Sequence, residues 1–171
     1  CYSPEFIALG SVIRDFLNPS MLLIGEESSA GGDALQSIYE RACENDPPFA
    51  RMTLAEAELT KIALNSFVTT KITFANTLAA MCGRIPGANV DRVTRALGLD
   101  PRIGAKYLKG AVSFGGPCFP RDNRAFAAAA ERLGVAAPLA SATDAANEGV
   151  ARSLAELVSE HTPRGGTVGV L

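Results

Sequence analysis

Nine residues concentrate most of the chemical potential of this chain: Phe114-Gly115-Gly116-Pro117-Cys118-Phe119-Pro120-Arg121-Asp122. Paired glycines let backbone approach a ligand where any Cβ would intrude. Pro117 and Pro120 stiffen the chain on either side of Cys118. The residues after Pro120 turn alanine-rich and helical, so Pro120 suits the first turn of a helix. A thiol just ahead of a helix start feels the positive end of the helix dipole, which favours thiolate. The run therefore reads either as a rigid loop presenting one cysteine to a small polar ligand or as a tight turn with an incidental cysteine. Lys61 and Asn65 are four residues apart and share one helical face among Ile62, Ala63, Leu64, Phe67 and Val68. Taken singly, a lysine there can snorkel to solvent and an asparagine can satisfy a neighbouring helix. Taken with Cys118 and Asp122, they make a set of nucleophile, cation, amide and carboxylate.

The elements that must position this set are mostly helical. The spacing predicts a helix over Phe6 to Leu17, stopped by Asn18-Pro19, and a short apolar edge strand over Met21 to Ile24. A further helix is predicted over Ser29 to Asn45, ending before Pro47-Pro48. Thr53-Leu54-Ala55-Glu56 is a capping box. It opens an apolar stripe through Leu59, Ile62, Ala63, Phe67, Ile72, Phe74, Leu78 and Met81 that stops at Gly83. A helix of about 30 residues spans roughly 45 Å, long enough to cross a domain and carry a subunit interface. Shorter helices follow at Asn89 to Leu97, Arg121 to Leu133, and Pro138 to about Glu160. Thr167 to Leu171 is a β-like apolar run with nothing after it to pair with. Together with the first residue, a cysteine, it gives the expectation of a piece of a longer protein. The expected fold class is mainly α, with a long spanning helix and short β remnants of flanking Rossmann-like domains at both ends. The expected divisions are 1–28, 29–162 and 163–171.

Composition narrows the function classes. Of 171 residues, 47% are hydrophobic and 20% charged, and the formal net charge is −2, so a sizeable core is available and no basic stripe suits a nucleic-acid polymer. No segment reads as a membrane span or signal peptide. The four cysteines at 1, 43, 82 and 118 have neither zinc-site spacing nor the density of a disulfide framework, so no metal is expected and a cytoplasmic location is the simplest. His161, the only histidine, sits beside a turn-like Thr162-Pro163-Arg164-Gly165-Gly166 and reads as a helix-end residue. A cysteine hydrolase would need a histidine partner in another context.

Four segments, in order, resemble the UDP-glucose/GDP-mannose dehydrogenase family. They are Ser3-Pro4-Glu5-Phe6-Ile7 with Ile13-Arg14-Asp15-Phe16-Leu17-Asn18-Pro19; Ala57-Glu58-Leu59-Thr60-Lys61 with Asn65 and Lys71-Ile72-Thr73-Phe74-Ala75-Asn76; Asp100-Pro101-Arg102-Ile103-Gly104 with Tyr107-Leu108-Lys109 and the Phe114 to Asp122 run; and Thr167-Val168-Gly169-Val170-Leu171. The resemblance implies oxidation of the C6 hydroxyl of a nucleotide-linked hexose to a carboxylate with two NAD per turnover. UDP-glucose is the default substrate because Cys118-Phe119 is more like that branch.

The resemblance also implies roles. Cys118 would be the nucleophile, passing through a thiohemiacetal and a thioester, which suits sulfur. Lys61 and Asn65 would stabilise oxyanions. Asp122 and Glu5 would serve water activation and proton transfer. Phe6, Ile7, Tyr107, Lys109, Phe114 and Gly115 would hold the nucleotide-sugar, and Arg102 would reach it across a homodimer formed through the long helix. Arg121 replaces the family's usual lysine and would sit near the cofactor phosphates, with the same charge and a different geometry. The NAD itself would be bound mainly by a Rossmann domain whose glycine-rich motif this chain lacks. Leu9, Thr77, Ser113 and Pro117 depart from the family pattern and bear on the sugar and base preference. A rival reading is a catalytically inert helical dimerisation module.

Overall fold

The computed structural model describes residues 1–163 and 165–169. It is mainly helical, in the order α1 (Val12–Leu17), β1 (Leu22–Glu26), α2 (Ser29–Ala42), β2 (Phe49–Thr53), α3 (Leu54–Cys82), α4 (Val90–Gly98), α5 (Phe119–Arg132) and α6 (Pro138–His161). The chain divides into two compact units, Cys1–Ile62 and Ala63–Leu171, and the division falls inside α3.

The first unit is a βαβ arrangement. Strands β1 and β2 pair in parallel, with Leu22 opposite Phe49 and Glu26 opposite Thr53, and α2 forms the crossover and packs on β1. Leu22, Leu23 and Ile24 are buried, the continuous apolar run of a strand covered on both faces. The Met21 to Ile24 run overlaps β1, which has β2 on one side only of this two-stranded sheet; on the other side, among the described residues, Gly25 alone exchanges backbone bonds with Tyr2. The segment ahead of Thr53 is a strand, although Pro47-Pro48 and the lone Arg51 hide the period. Arg51 explains itself in three dimensions, since its guanidinium bonds Glu26 of β1 and Asp33 of α2. The helix predicted from Phe6 shrinks to Val12–Leu17, because Gly10 takes a φ of +97° and Ser11 takes up a non-helical N-cap conformation.

The capping box at the start of α3 forms as read. The Thr53 amide donates to Glu56 Oε2 at 2.9 Å, and the Glu56 amide donates to Thr53 Oγ1 at 3.3 Å. The buried face of α3 is not its predicted apolar stripe. Ala57, Thr69 and Ala75 are fully buried, joined by Asn65, Ser66, Val68 and Asn76, while Leu59, Phe67, Phe74 and Met81 are half exposed or more. Small and amide side chains allow close approach on the inner face.

In the second unit α5 packs against α6. Asn123, buried in α5, donates to the Ala140 carbonyl and to Asp144 Oδ1, both at 2.8 Å. His161 closes α6, its Nδ1 bonded to the Leu157 carbonyl. The β-like run at Thr167 to Leu171 forms no strand over Thr167–Gly169, and Val170 and Leu171 lie outside the described residues. Among the described residues no helix is long and apolar enough to cross a membrane, and no group of residues is arranged to hold a metal ion.

Candidate active site

In the second unit, residues 99–118 join α4 to α5 without regular secondary structure, far longer than the ~4–6 residues of a typical connection. Such a segment must find partners for its backbone elsewhere, and three side chains supply them. Lys71 Nζ donates to the carbonyls of Ile103 (2.9 Å) and Gly104 (3.2 Å). Asn76 accepts from the Ala111 amide at 2.8 Å and donates to the Val112 carbonyl at 3.1 Å. Asn147 accepts from the Phe114 amide at 2.8 Å and donates to the Phe114 carbonyl at 2.9 Å. Between these anchors Leu108 and Phe114 are buried. Gly110 lies so close to α3 that a Cβ there would stand 2.9 Å from the Ala79 methyl and 3.1 Å from the Ala75 carbonyl oxygen.

The loop ends in the cysteine turn. Gly116 has a φ of +77°, a backbone shape that glycine adopts freely. Cys118 is exposed and occupies the N-cap of α5, with Pro120 in the first turn. Its carbonyl accepts from the Asp122 amide at 2.8 Å. The rings of Phe114 and Phe119 meet edge to face, 6.3 Å apart at 88°, so the two residues that bracket the Gly-Gly-Pro-Cys segment touch each other.

One turn into α5, Asp122 is 4% exposed. Its Oδ2 accepts from Asn65 Nδ2 at 2.6 Å, and its Oδ1 accepts from Arg121 Nε at 2.8 Å. A buried carboxylate needs such partners. Arg121 is exposed, and the hydrogen bond and charge of Asp122 hold it protonated more firmly than an ordinary arginine, with a smaller push from Cys118. The structure thus brings Asn65, Asp122 and Arg121 into one hydrogen-bonded cluster beside Cys118. With both oxygens engaged, Asp122 is built to orient Asn65 and Arg121.

The other expected residues are placed as follows. In the first unit, Lys61 Nζ donates to the Glu5 carbonyl at 2.6 Å and lies 4.5 Å from the centre of the Phe6 ring. Glu5 contributes its backbone to this contact and is an exposed residue. Ile7 is exposed. In the second unit, Phe114 is buried, Gly115 stands in open space, and Tyr107, with a φ of +61°, and Lys109 are exposed. Arg102 is taken up by Asp100 in its own turn, at 2.6 Å. This contact holds the Asp100 carboxyl below its ordinary value.

Reading from sequence missed Asn147 altogether and took Asn76 only as part of a motif. The available signal was an amide inside a helix, where asparagine is a poor former and therefore asks for a partner.

The central-domain profile of the UDP-glucose/GDP-mannose dehydrogenase family matches residues 55–149, more than half of the chain. The chain belongs to this family. Among its relatives, UDP-glucose 6-dehydrogenase of Pseudomonas aeruginosa is 34% identical over 158 residues, which are 92% of this chain and 35% of that protein. UDP-glucose 6-dehydrogenase TuaD of Bacillus subtilis is 37% identical over 146 residues, 85% of this chain and 31% of that protein. The solved structure of a UDP-glucose dehydrogenase from Pyrobaculum islandicum superposes with a TM-score of 0.85 at 37% identity, covering 92% of this chain and 36% of that one. The chain therefore spans about a third of the length of the relatives it matches. It is a member of a dehydrogenase family with a helical central domain.

Proposed function

We propose that the intact protein is an NAD-dependent nucleotide-sugar 6-dehydrogenase. On this reading it oxidises the C6 hydroxyl of a UDP-hexose, UDP-glucose by default, to a carboxylate, and this chain supplies the nucleophile. The observation that carries the reading is Cys118, exposed at the N-cap of α5, one helical turn from a buried Asp122 held by Asn65 and Arg121.

The chemistry divides into four steps. The C6 alcohol loses two electrons and two protons, one from carbon and one from oxygen, to become an aldehyde. Cys118 sulfur bonds to the aldehyde carbon, and the oxygen takes up negative charge and then a proton, giving a thiohemiacetal. Loss of two further electrons and two protons, again one from carbon and one from oxygen, makes the thioester. Water adds to the thioester carbon, the carbon–sulfur bond breaks, and the acid leaves with Cys118 restored. NAD, when bound, accepts the electron pair of each oxidation.

Asn65 supports the reading as a fixed amide whose orientation is set by Asp122, the arrangement that lets a donor stabilise oxyanion charge without reorganising. From the first unit the reading takes Lys61, a cation fixed by the Glu5 carbonyl and the Phe6 ring, for the same charge, and Glu5 for proton transfer. Phe6, Ile7, Tyr107, Lys109, Phe114 and Gly115 would bind the nucleotide-sugar. Arg121 fits a cofactor phosphate, since its Nε is engaged by Asp122 while the group is exposed. The exposed Leu59, Phe67, Phe74 and Met81 on α3 support a homodimer through that helix, with Arg102 reaching the partner's substrate. Location in the cytoplasm follows from the same reading.

The test is a panel of UDP- and GDP-sugars with NAD on the intact protein and its Cys118→Ser variant. Acid formation from a UDP-hexose, its near-complete loss in the variant, and a sugar adduct at Cys118 by mass spectrometry are expected. A serine variant that makes acid at close to the wild-type rate returns Cys118 to a packing role.

A further inference from the structure

Cys118 is presented by a segment with no ladder or helix of its own, and something must fix where that segment lies. One end is fixed by α5: the Cys118 carbonyl accepts from the Asp122 amide, and Phe119 is the first helical residue. The other end is Phe114, and both of its backbone polar groups are taken by a single side chain, the Asn147 amide of α6, at 2.8 and 2.9 Å. Two residues earlier, Asn76 of α3 grips the chain in the same two-bond manner through Ala111 and Val112. An amide that donates and accepts at once reproduces what a neighbouring strand would offer. Between the two fixed ends, the edge-to-face contact of Phe114 with Phe119 closes the segment on itself, and Gly115, Gly116, Pro117 and Cys118 occupy the arc.

We propose that Asn147, assisted by Asn76, is a positioning residue for the cysteine turn: its two bonds to Phe114 set the register of the arc and so the place of the Cys118 sulfur. Asn147 touches no reacting atom on this account and acts through Phe114. The catalytic consequence rests on the proposed role of Cys118, whereas the clamp itself does not.

The test uses the intact protein with Asn147→Ala and Asn147→Asp. The first removes both bonds; the second keeps the acceptor for the Phe114 amide and loses the donor to its carbonyl. Hydrogen exchange at the Phe114 amide should accelerate about tenfold in Asn147→Ala, the loss of roughly one hydrogen bond, and less in Asn147→Asp. In turnover, kcat should fall about tenfold for Asn147→Ala and about threefold for Asn147→Asp. KM for NAD should stay within about twofold of wild type, because Asn147 bonds Phe114 and not Arg121, the residue proposed for the cofactor. Unchanged exchange at Phe114 overturns the clamp. A lowered melting temperature with faster Phe114 exchange and an unchanged kcat makes Asn147 a structural residue only and overturns the positioning role. Failure of the nucleophile reading shows separately, as activity surviving in Cys118→Ser, and leaves the exchange result to decide the clamp.

Discussion

In the first unit, position is set by backbone. Strands β1 and β2 share a ladder from Leu22–Phe49 to Glu26–Thr53, and Lys61 needs only the Glu5 carbonyl and a ring to find its place. In the second unit, position is set by side chains. Residues 99–118 have no ladder, and their backbone is held by Lys71, Asn76 and Asn147. The buried carboxylate of Asp122 is held by an amide and a guanidinium. A ladder tolerates most single substitutions because its donors and acceptors belong to every residue. A loop held by amides depends on a few named side chains, each of which carries two bonds.

The largest expected effect comes from breaking the second unit's polar cluster. Asn65→Ala leaves one oxygen of a buried carboxylate without a partner, at a cost of about 1–3 kcal/mol. Lys61→Ala, one turn earlier on the same helix, removes an exposed contact worth about 0–1 kcal/mol. Asp122→Ala should exceed the Asn65 effect, since it strips both Asn65 and Arg121. Denaturant melts of the intact protein would show the order. If Lys61→Ala costs as much as Asn65→Ala, the contrast between the two groups is wrong.

Next comes close packing beneath the loop. Gly110→Ala places a methyl 2.9 Å from the Ala79 Cβ and 3.1 Å from the backbone oxygen of Ala75. The oxygen belongs to a helix and cannot turn aside, so overpacking should cost about 1–3 kcal/mol. Gly115→Ala meets open space and should leave stability nearly unchanged, whatever it does to substrate binding. A melt that ranks the two glycines the other way would mean that the loop is not seated on α3.

How much of this was legible in the sequence follows the same division. The capping box, the short helix that begins near Asn89, the Pro120 start of α5 and the long α3 were legible because each is a local signal, fixed by residues three or four apart. Strand β2 was not. Its pairing with β1 is a non-local event across α2, and Arg51 inside it looks like a solvated residue until Glu26 and Asp33 are placed beside it. The face of α3 was also misread, because counting large apolar residues ignores how much an inner face gains from small ones that let backbones approach. Of the site, Asn65 and Asp122 were named as a set from sequence, and their direct bond needed coordinates. Asn147 lies inside α6, where an amide asks for a partner, but nothing local says that the partner is the backbone of Phe114.

The smallest effect is the most selective, because it separates the two units by pH. Glu56 in the first unit has its pKa lowered by the Thr53 side-chain and backbone hydrogen bonds. Asp15 is lowered by Ser11 and the Ala8 amide. A carboxyl lowered in the folded state contributes stability that is fully present above its ordinary pKa and is lost as pH falls through the lowered folded value. The caps of α1 and α3 should therefore weaken below the ordinary carboxylate range. The clamps at Asn76 and Asn147 are amides and do not titrate there. Amide exchange, corrected for its intrinsic pH dependence, should show Thr53 losing protection on acidification while Ala111 and Phe114 keep theirs, as long as the helical circular dichroism signal holds. Asp100 offers a control within the second unit, since its bond to the Arg102 amide titrates like the caps of the first. Parallel loss at Thr53, Ala111 and Phe114 would mean that the loop is held by titrating groups, and the distinction between ladder and amide clamp would fall with it.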